Sequence, residues 1–226
     1  MSELVALIPA LDCEATIGEV VRGTLRHLSR VLVVDDGSAD RTADAAKAAG
    51  AEVMRLPRNR GKAAALRTGM RALRDAGATH ALTLDGDGQH LPDEIPALRA
   101  AAAARPAAIV IGARDLGPGS MSPIRQFGNR FANRWVEIAC GRAFQDTQSG
   151  FRVYPLEATH ALGCRAERFA FETEVLIRAV RAGLAVVSVP VLAHTPPVGE
   201  RVSHFRGVRD TTRIVFTVIG LLLRRR

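Results

Sequence analysis

Short apolar segments alternate with segments of helical spacing along most of the chain. In Glu14–Ser29, for example, apolar residues recur with the period of a helix face. Such alternation is typical of a doubly wound, mostly parallel α/β sheet, which is the fold class that we predict. The predicted strands are Leu4–Ile8, Val31–Val34, Glu52–Leu56, Ala81–Leu84, Ala107–Gly112 and Ala185–Val189, and the predicted helices are Glu14–Ser29, Ala39–Ala49, Gly61–Ala76, Pro92–Ala104, Arg125–Ile138 and Glu172–Ala182.

Polar clusters directly follow three of the predicted strands. They are Pro9–Glu14, Asp35–Ser38 and Asp85–His90. In sheets of this kind ligands bind beyond the carboxyl ends of the strands, so the sequence predicts one ligand site built from all three clusters. Capping of the next helix is the alternative role for Asp35 and Ser38, and it suits Ser38 better.

Two carboxylates and an amide are spaced two residues apart after the fourth predicted strand. If extended backbone persists through the intervening glycines, Asp85, Asp87 and Gln89 point to one face. Oxygen donors on one face suit Mg²⁺ or Mn²⁺, which keeps positions open for the oxygens of a diphosphate. The segment therefore predicts a metal platform for a nucleotide-linked substrate, with a plain polar turn as the alternative.

Composition favours one globular domain with a basic surface. The chain has 226 residues, of which 47% are hydrophobic, and a net charge of +8. This length and apolar content suit a single domain with a sizeable core. Aromatic residues make up 4% and are not interleaved with basic residues, so we expect no nucleic-acid partner. The charge favours phosphate-rich ligands and anionic lipid headgroups instead.

The cysteines and the first residues indicate a reducing compartment. Cys13, Cys140 and Cys164 are odd in number and include no CxxC pair, so neither a disulfide framework nor a zinc site is expected. Residues 1–3 lead into the first predicted strand without the basic and apolar regions of a signal peptide. We therefore expect a cytoplasmic protein.

The carboxyl-terminal segment joins an apolar run to three arginines. As a helix, Ile214–Leu223 is ~15 Å long, too short for a hydrocarbon core of ~30 Å. It can lie in a membrane interface with the arginines at the headgroups, or pack on the domain. We predict a domain over residues 1–213 and a terminal helix over residues 214–226, with the membrane surface, at its cytoplasmic face, as an expected partner.

Motifs of three other classes are missing. No Gly-x-Gly-x-x-Gly follows the first predicted strand, as dinucleotide-binding folds require. Gly61-Lys62 resembles the end of a P-loop, but Leu56 and Ala63 stand where that motif needs glycine and a hydroxyl residue. No Gly-x-Ser-x-Gly nucleophile elbow is present. The ligand site is therefore expected to belong to another class.

Eight short motifs occur in a characteristic order along nearly the whole chain. They are Ile8–Asp12, Val33–Ser38, Asn59–Lys62, Asp85–His90, Gly112–Arg114, Gly128–Arg130, Asp146–Arg152 and Phe171–Glu174. With them the chain resembles the inverting family-two glycosyltransferases of the GT-A fold, and among these the dolichol- and polyprenyl-phosphate sugar synthases. The resemblance implies a single Rossmann-like GT-A domain that transfers a sugar from a nucleoside diphosphate sugar to a polyprenyl phosphate with the help of Mg²⁺ or Mn²⁺.

The resemblance also implies roles for individual residues. The donor would be bound by Pro9, Asp12, Glu14, Asp35, Asp36, Gly61, Lys62 and Asp85, and the metal by Asp85, Asp87 and Gln89. The acceptor phosphate would be bound by Arg114, Arg125, Asn129, Ser203 and His204, with the loop around the last two closing over the site. The chain departs from the usual family pattern at Asp12-Cys13-Glu14, where Asn-Glu is usual, at Ser203-His204, where Ser-Lys is usual, and in the lack of the two-helix or four-helix membrane tails that the family carries.

The expected chemistry depends on charge neutralisation more than on a base. The metal would neutralise charge on the leaving diphosphate, and arginines would orient the incoming phosphate with bidentate contacts. A phosphate is already ionised near neutral pH, whereas a hydroxyl acceptor needs a base, for which Asp146 is the candidate. The expected catalytic residues are Asp87, Asp146 and Arg114.

Alternatives stay open for residues and for the whole chain. Lys62 can reach a phosphate or begin a helix on a solvated face, and Asp146 can form a turn. Arg125, Arg130 and Arg134 can be a solvated helix face. The chain can instead glycosylate a sugar or another hydroxyl, act as a nucleotidyltransferase, or bind nucleotide sugars as a non-catalytic scaffold.

Overall fold

The computed structural model describes residues 3–115, 123–168, 170–194 and 217–220, with the backbone alone over 123–127. Two predicted acceptor residues, Ser203 and His204, lie outside the described residues, and so does the side chain of Arg125. Of the apolar run Ile214–Leu223, only residues 217–220 are described, and they form a helical turn.

The strands of the described residues form one seven-stranded sheet. Its order is β3-β2-β1-β4-β6-β5-β7. β6 is antiparallel to both of its neighbours, whereas all other pairs are parallel. The bounds are β1 Leu4–Ala10, β2 Val31–Asp35, β3 Glu52–Arg55, β4 His80–Thr83, β5 Ile109–Arg114, β6 Arg152–Pro155 and β7 Val186–Val191.

Helices cover both faces of this sheet. The helices are α1 Glu14–Leu25, α2 Thr42–Ala48, α3 Lys62–Asp75, α4 Ile95–Ala104, α5 Pro123–Cys140, α6 Leu156–Ala161 and α7 Ala170–Arg181. Because alternate residues of a strand face opposite sides, Leu7 packs with α3 and α7 in one apolar cluster and Ile8 packs with α1 and α4 in the other. The predicted α/β class is thereby confirmed.

Three local features differ from the sequence-based predictions. Ser38 does not cap the second helix: α2 begins at Thr42 without a side-chain cap, and the Ser38 hydroxyl donates to Asp35 instead. The elements β6 and α6 were not predicted, because the polar residues of Asp146–Arg152 favoured a turn there. A 3-10 turn at Pro92–Glu94 precedes α4, so the predicted helix Pro92–Ala104 begins one turn later as an α-helix.

The described part of the carboxyl-terminal segment packs on the domain. Val218 is fully buried and clusters with Val136 and Ala139 of α5 and Ile177 of α7. Among the described residues no helix has the length and apolar character needed to cross a membrane. Packing on the domain is therefore observed for residues 217–220. Attachment of the terminal helix to a membrane stays a prediction.

Candidate functional site

Five chain segments meet at one edge of the sheet. β1, β2, β4 and β5 end there, and β6 begins there because it runs in the opposite direction. Register keeps these ends level: Ala10 at the end of β1 pairs with Asp35 at the end of β2. The segments that follow or precede these ends therefore share one surface, as expected for ligand sites in open α/β sheets.

The loops after β1 and β2 are tied together by side-chain hydrogen bonds. The backbone N–H of Asp12 donates to the Ser38 hydroxyl (3.0 Å), and the N–H of Ala39 donates to the Asp12 carboxylate (2.7 Å). The N–H of Cys13 donates to the Thr42 hydroxyl at 2.8 Å. Asp12 has a left-handed backbone with φ 45°, a strained conformation that these contacts stabilise. This corner is therefore pre-shaped before any ligand arrives.

Asp35 is a buried carboxylate with one oxygen lacking a hydrogen bond. Its Oδ1 accepts hydrogen bonds from the backbone N–H (2.9 Å) and hydroxyl of Ser38. Its Oδ2 lies 3.2 Å from Nε of Arg55 as an ion pair, yet it makes no hydrogen bond among the described residues. A buried carboxylate oxygen without a hydrogen bond favours binding of a further N–H or O–H group. This is compatible with the predicted role of Asp35 in binding the nucleotide sugar.

Asp36 holds the loop that leads into α3. Its two carboxylate oxygens accept the backbone N–H groups of Arg60 (2.8 Å) and Gly61 (2.6 Å). Burial raises the pKa of Asp36, and these two hydrogen bonds oppose that shift. Gly61 has φ 88°, which suits glycine because it lacks a Cβ atom. Asp36 thus fixes the start of α3, where Lys62 follows.

Lys62 lies between two carboxylates. Its Nζ is 2.6 Å from Oδ1 of Asp85 and 3.3 Å from Oε1 of Glu172. Burial opposes the charge of Lys62, but Asp85 and Glu172 together raise its pKa above the usual value. Burial likewise opposes ionisation of Asp85, yet Lys62 holds the pKa of that carboxyl at about 2. The lysine therefore faces the site and does not begin a solvated helix face.

The segment from Asp85 to Gln89 is a turn, which corrects the expectation of extended backbone. β4 ends at Thr83, and Gly88 has φ 75°. Asp87 accepts hydrogen bonds from the backbone N–H (3.1 Å) and from Nε2 (2.5 Å) of Gln89. Burial raises the pKa of Asp87 to about 6, and the charge of Asp85 acts in the same direction. The two carboxylates are close neighbours even without a shared strand face.

His90 is a neutral support for this turn. Its Nδ1 accepts the backbone N–H of Asp85 at 3.1 Å, so the 3.8 Å approach of Nδ1 to the Asp85 carboxylate is not an ion pair. Burial lowers the pKa of His90 to about 4. The hydroxyl of Thr16 holds the other side of the turn by donating to the carbonyl of Gly86 at 2.7 Å.

Arg114 and Asp146 form a two-point ion pair at the end of β5. Nε of Arg114 is 2.7 Å from Oδ2 of Asp146, and its Nη2 is 3.2 Å from Oδ1. Asp146 is fully buried and also accepts the backbone N–H groups of Arg114 (3.3 Å) and Gln148 (3.1 Å). The carboxylate is therefore engaged on both oxygens, which favours a positioning role over that of a base.

A buried arginine organises the segment that leads into β6. Arg152 is fully buried and donates to three backbone carbonyls: Ser149 (2.7 Å), Thr147 (2.7 Å) and Glu172 (2.9 Å). It thus joins the segment after Asp146 to the start of α7. Gly150 lies beside the ion pair of Lys62 and Asp85, since a Cβ atom at Gly150 would lie 2.7 Å from Nζ of Lys62.

The described site carries more negative than positive side chains, which favours binding of an added cation. Its carboxylates outnumber its cationic side chains. The carboxylates are those of Asp85, Asp87, Asp146 and Glu172, and the cationic side chains are Lys62, Arg114 and Arg152. Among the described residues no group of three or more His, Cys, Asp or Glu side chains forms a complete metal cage. Two carboxylates and the Gln89 amide are instead the kind of partial set that leaves positions for substrate oxygens.

The structure separates the predicted site residues into two groups. One group forms a connected cluster of contacts and charge interactions, and it consists of Asp85, Asp87, Gln89, Lys62, Arg114 and Asp146. Pro9 pairs with Val34 inside the sheet, and Glu14 forms an ion pair of 2.7 Å with Arg41 at the start of α2. Asn129 lies in α5, one turn before Asn133, whose amide holds Thr147 and Gln145. All these roles in binding stay predictions.

Sequence reasoning gave no role to Glu172, His90, Gly150 and Arg152. Glu172 lies in one of the eight motifs, Phe171–Glu174, and Arg152 and Gly150 lie in another. The motifs were thus a usable signal for these positions. Some of their partners, however, are far away in the chain, as Glu172 and Lys62 illustrate, and such pairs carry no local spacing pattern.

Comparison with known proteins adds family information to this geometry. The family described as Glycosyl transferase family 2 matches residues 5–166. The undecaprenyl-phosphate mannosyltransferase of Micrococcus luteus is 30% identical over 183 residues, covering 76% of this chain and 74% of that protein. The UDP-N-acetylglucosamine–dolichyl-phosphate N-acetylglucosaminyltransferase of Methanococcus voltae is 28% identical over 208 residues, covering 82% of this chain and 83% of that protein.

A solved structure supports the fold. The crystal structure of glucosyl-3-phosphoglycerate synthase from Mycobacterium tuberculosis, in complex with Mn²⁺, uridine-diphosphate-glucose and phosphoglyceric acid, matches with a TM-score of 0.74 at 21% identity. The match covers 97% of this chain and 79% of that chain. The fold class and the family resemblance predicted from the sequence are thus confirmed.

Proposed function

The chain belongs to glycosyl transferase family 2 and is a glycosyltransferase, and from that premise we propose that it transfers a sugar from a nucleoside diphosphate sugar to a polyprenyl phosphate. The proposal includes a divalent cation, Mg²⁺ or Mn²⁺, and inversion at the anomeric carbon. The names of the Micrococcus and Methanococcus relatives, which both state a polyprenyl or dolichyl phosphate, support the acceptor class.

The Arg114–Asp146 pair is the observation that carries the acceptor assignment. Asp146 is engaged by Arg114 on both oxygens, so it has no oxygen left over to take a proton from a hydroxyl. Two contacts with Asp146 hold the guanidinium of Arg114 in a fixed plane, and within the described residues its Nη1 makes no hydrogen bond that would compete with a further acceptor. A fixed guanidinium without a base suits a nucleophile that is already ionised, as a phosphate is near neutral pH.

The residues after β4 fit a divalent cation. Asp85 and Asp87 would hold it together with the amide oxygen of Gln89. Burial, and after it the charge of Asp85, raises the pKa of Asp87, and the charge of a bound cation would oppose both effects. When bound, such an ion supplies Lewis-acid stabilisation of the charge on the departing diphosphate. Lys62 keeps Asp85 ionised and fixed in place for this purpose.

The donor and the membrane complete the proposal. The pre-shaped corner of Asp12, Asp35 and Ser38 would take the nucleoside, with the open oxygen of Asp35 as a hydrogen-bond acceptor. A polyprenyl acceptor places the reaction at a membrane surface, at the cytoplasmic face. The backbone N–H of His194 donates to the carbonyl of Gln89 at 2.9 Å, so the chain reaches the turn after β4 again at His194.

A panel of donors and acceptors tests the proposed function. Purified full chain with Mn²⁺ should form product from one nucleoside diphosphate sugar and a short polyprenyl phosphate, but not from the same donor and the matching polyprenyl alcohol. The reason is that the described site lacks an unengaged base on the acceptor side. Thin-layer or mass-spectrometric detection of the glycolipid measures the result. Transfer to hydroxyl acceptors alone would instead establish the alternative glycosyltransferase activity.

Gly150 provides a second test of the site. In Gly150→Ala the new methyl group would lie 2.7 Å from Nζ of Lys62 and 2.9 Å from Oδ2 of Asp85, so it should push that pair apart. We expect turnover to fall by about tenfold or more, an effect of ~1.4 kcal/mol on the barrier. Gly128→Ala in α5 is the matched control, because no atom of the described residues lies within 4 Å of the added group. If Gly150→Ala turns over as fast as Gly128→Ala and the wild type, the Lys62–Asp85 pair has no role in turnover.

A further inference from the structure

Two buried glutamates of α7 differ in what they contact. Glu174 accepts two backbone N–H groups, at 2.7 and 2.5 Å, and pairs with Arg178 at 2.7 Å. Glu172 accepts no hydrogen bond at Oε1 from the described residues, and this oxygen lies 3.3 Å from Nζ of Lys62. Glu172 is thus paired with a cation but not hydrogen-bonded on that oxygen. Such an oxygen in a buried carboxylate calls for an explanation, whereas the contacts of Glu174 are complete.

The position of Glu172 is fixed by its backbone. The residue lies in the first turn of α7, and its carbonyl accepts a hydrogen bond from Nη1 of Arg152 at 2.9 Å. The exposed fraction of the side chain falls from 29% for Asp85 through 13% for Lys62 to 7% for Glu172. Asp85 is therefore the most accessible of the three to a ligand, and Glu172 acts on the ligand site through Lys62.

The backbone of Gly150 confines Lys62 on another side. A Cβ atom at Gly150 would lie 2.7 Å from Nζ of Lys62 and 2.9 Å from Oδ2 of Asp85. The ammonium of a lysine is a compact charge with three N–H donors. A small movement can therefore shift its hydrogen bonds from Asp85 toward Glu172 while Lys62 stays in the site.

A divalent cation would compete with Lys62 for Asp85. At present Nζ of Lys62 is 2.6 Å from Oδ1 of Asp85, and the charges of both side chains act on Asp87. A cation held by Asp85 and Asp87 would repel the ammonium, because like charges would then share one carboxylate. Glu172 offers the ammonium a second carboxylate, so that Lys62 remains paired while Asp85 binds the cation.

We propose that Glu172 is a positioning residue that takes over the ammonium of Lys62 when a divalent cation binds at Asp85 and Asp87. This inference rests on the proposed function, since it concerns the cation proposed there. With Glu172 in place, Lys62 stays buried, charged and paired beside the cation. Without a carboxylate at this position, Lys62 would have Asp85 alone of the two, and the cation would have to displace it.

Calorimetric titration with Mn²⁺ tests the role of Glu172. Glu172→Gln keeps the size of the side chain and removes its charge, so Mn²⁺ should bind to the full chain about tenfold more weakly than to wild type, as is common when support for metal ligands is lost. The melting temperature without Mn²⁺ should change little, because Lys62 keeps its close contact with Asp85.

Glu174→Gln is the comparison variant on the same helix. It should lower the melting temperature, because the ion pair with Arg178 and one acceptor for the backbone are impaired, and it should leave the Mn²⁺ affinity unchanged. If Glu172→Gln shows this same pattern, a lower melting temperature with wild-type Mn²⁺ affinity, Glu172 is structural and the positioning role is overturned.

A double-mutant cycle shows whether Glu172 acts through Lys62. In the Lys62→Met background, Glu172→Gln should change the Mn²⁺ affinity by less than about twofold, since the ammonium that Glu172 positions is gone. An equal effect of Glu172→Gln in both backgrounds would overturn the proposal, because the carboxylate would then attract the cation directly.

The outcomes separate this inference from the proposed function. The titrations use Mn²⁺ alone and Mn²⁺ with inorganic diphosphate, so they need neither a sugar nor an acceptor. If the affinities behave as expected but no polyprenyl phosphate is glycosylated, the proposed function fails and the role of Glu172 stands. If the sugar is transferred and Glu172→Gln binds Mn²⁺ like wild type, the role of Glu172 fails and the proposed function stands. A wild type that binds no Mn²⁺ in either titration overturns the role of Glu172 as well.

Discussion

Asp87→Ala should nearly abolish sugar transfer while leaving the fold intact. Asp87 lies in a turn outside the sheet, and its charge is disfavoured there by burial and by Asp85. Its removal should therefore cost little stability, whereas loss of a metal ligand forfeits several kcal/mol of charge stabilisation in the transition state. We expect kcat to fall by at least about a thousandfold, equivalent to ~4 kcal/mol.

A binding measurement distinguishes this effect from general damage. Mn²⁺ should raise the melting temperature of the wild type and not that of Asp87→Ala, since a ligand stabilises only the state that binds it. Asp44→Ala, an exposed change on α2, should behave like wild type in both assays. Full turnover of Asp87→Ala in the presence of a chelator would show that the reaction uses no metal held at this turn.

The sheet was predictable because its strands are short, apolar and separated by helices. Val31–Asp35 is buried at every position, and such runs in alternation with helices leave few other architectures. β6 escaped prediction because it contains a fully buried arginine. Arg152 is tolerated there since three backbone carbonyls accept its hydrogen bonds: those of Ser149 and Thr147 just before it in the chain, and that of Glu172, which the fold brings to it.

The place of the site was predictable, but its internal pairing was not. Polar residues at strand ends indicated the correct edge, because parallel strands end on the same side. The partners of Lys62, in contrast, come from positions 85 and 172, and the fold alone decides that they meet. Asp36 lies at the same edge, and both of its carboxylate oxygens accept backbone N–H groups of the loop that precedes α3; the sequence could not indicate this structural role.

The turn after β4 shows why residue spacing was an incomplete guide. Alternation predicts a shared face only where backbone is extended, and Gly88 leaves that conformation with φ 75°. Asp85 and Asp87 remain neighbours because the turn is held by Thr16 and His90 on either side. The residues of the predicted platform therefore do lie together, for a reason different from the one that their spacing suggested, and their role as metal ligands stays a prediction.

Arg114→Lys should impair use of the acceptor and spare the donor. A lysine keeps the positive charge beside Asp146, so the fold should survive, but it lacks the planar fork that now makes two contacts with that carboxylate. The ammonium would satisfy Asp146 and have no fixed direction toward a phosphate. We expect kcat/KM for the polyprenyl phosphate to fall by about a hundredfold, or ~3 kcal/mol, while the dissociation constant of the nucleotide sugar stays within about twofold, as expected when no contact with it changes.

Arg30→Lys is the matched control for this prediction. Arg30 also holds a carboxylate at two points, with Nε 2.9 Å and Nη2 3.2 Å from the oxygens of Glu52, but it precedes β2 and so lies at the opposite edge of the sheet. The control variant should keep both kinetic constants. Steady-state kinetics over acceptor concentration and calorimetry with the donor measure the two effects separately. A fall in donor affinity without a change in acceptor dependence would assign Arg114 to the leaving diphosphate, because only a residue on that side could lose one contact and keep the other.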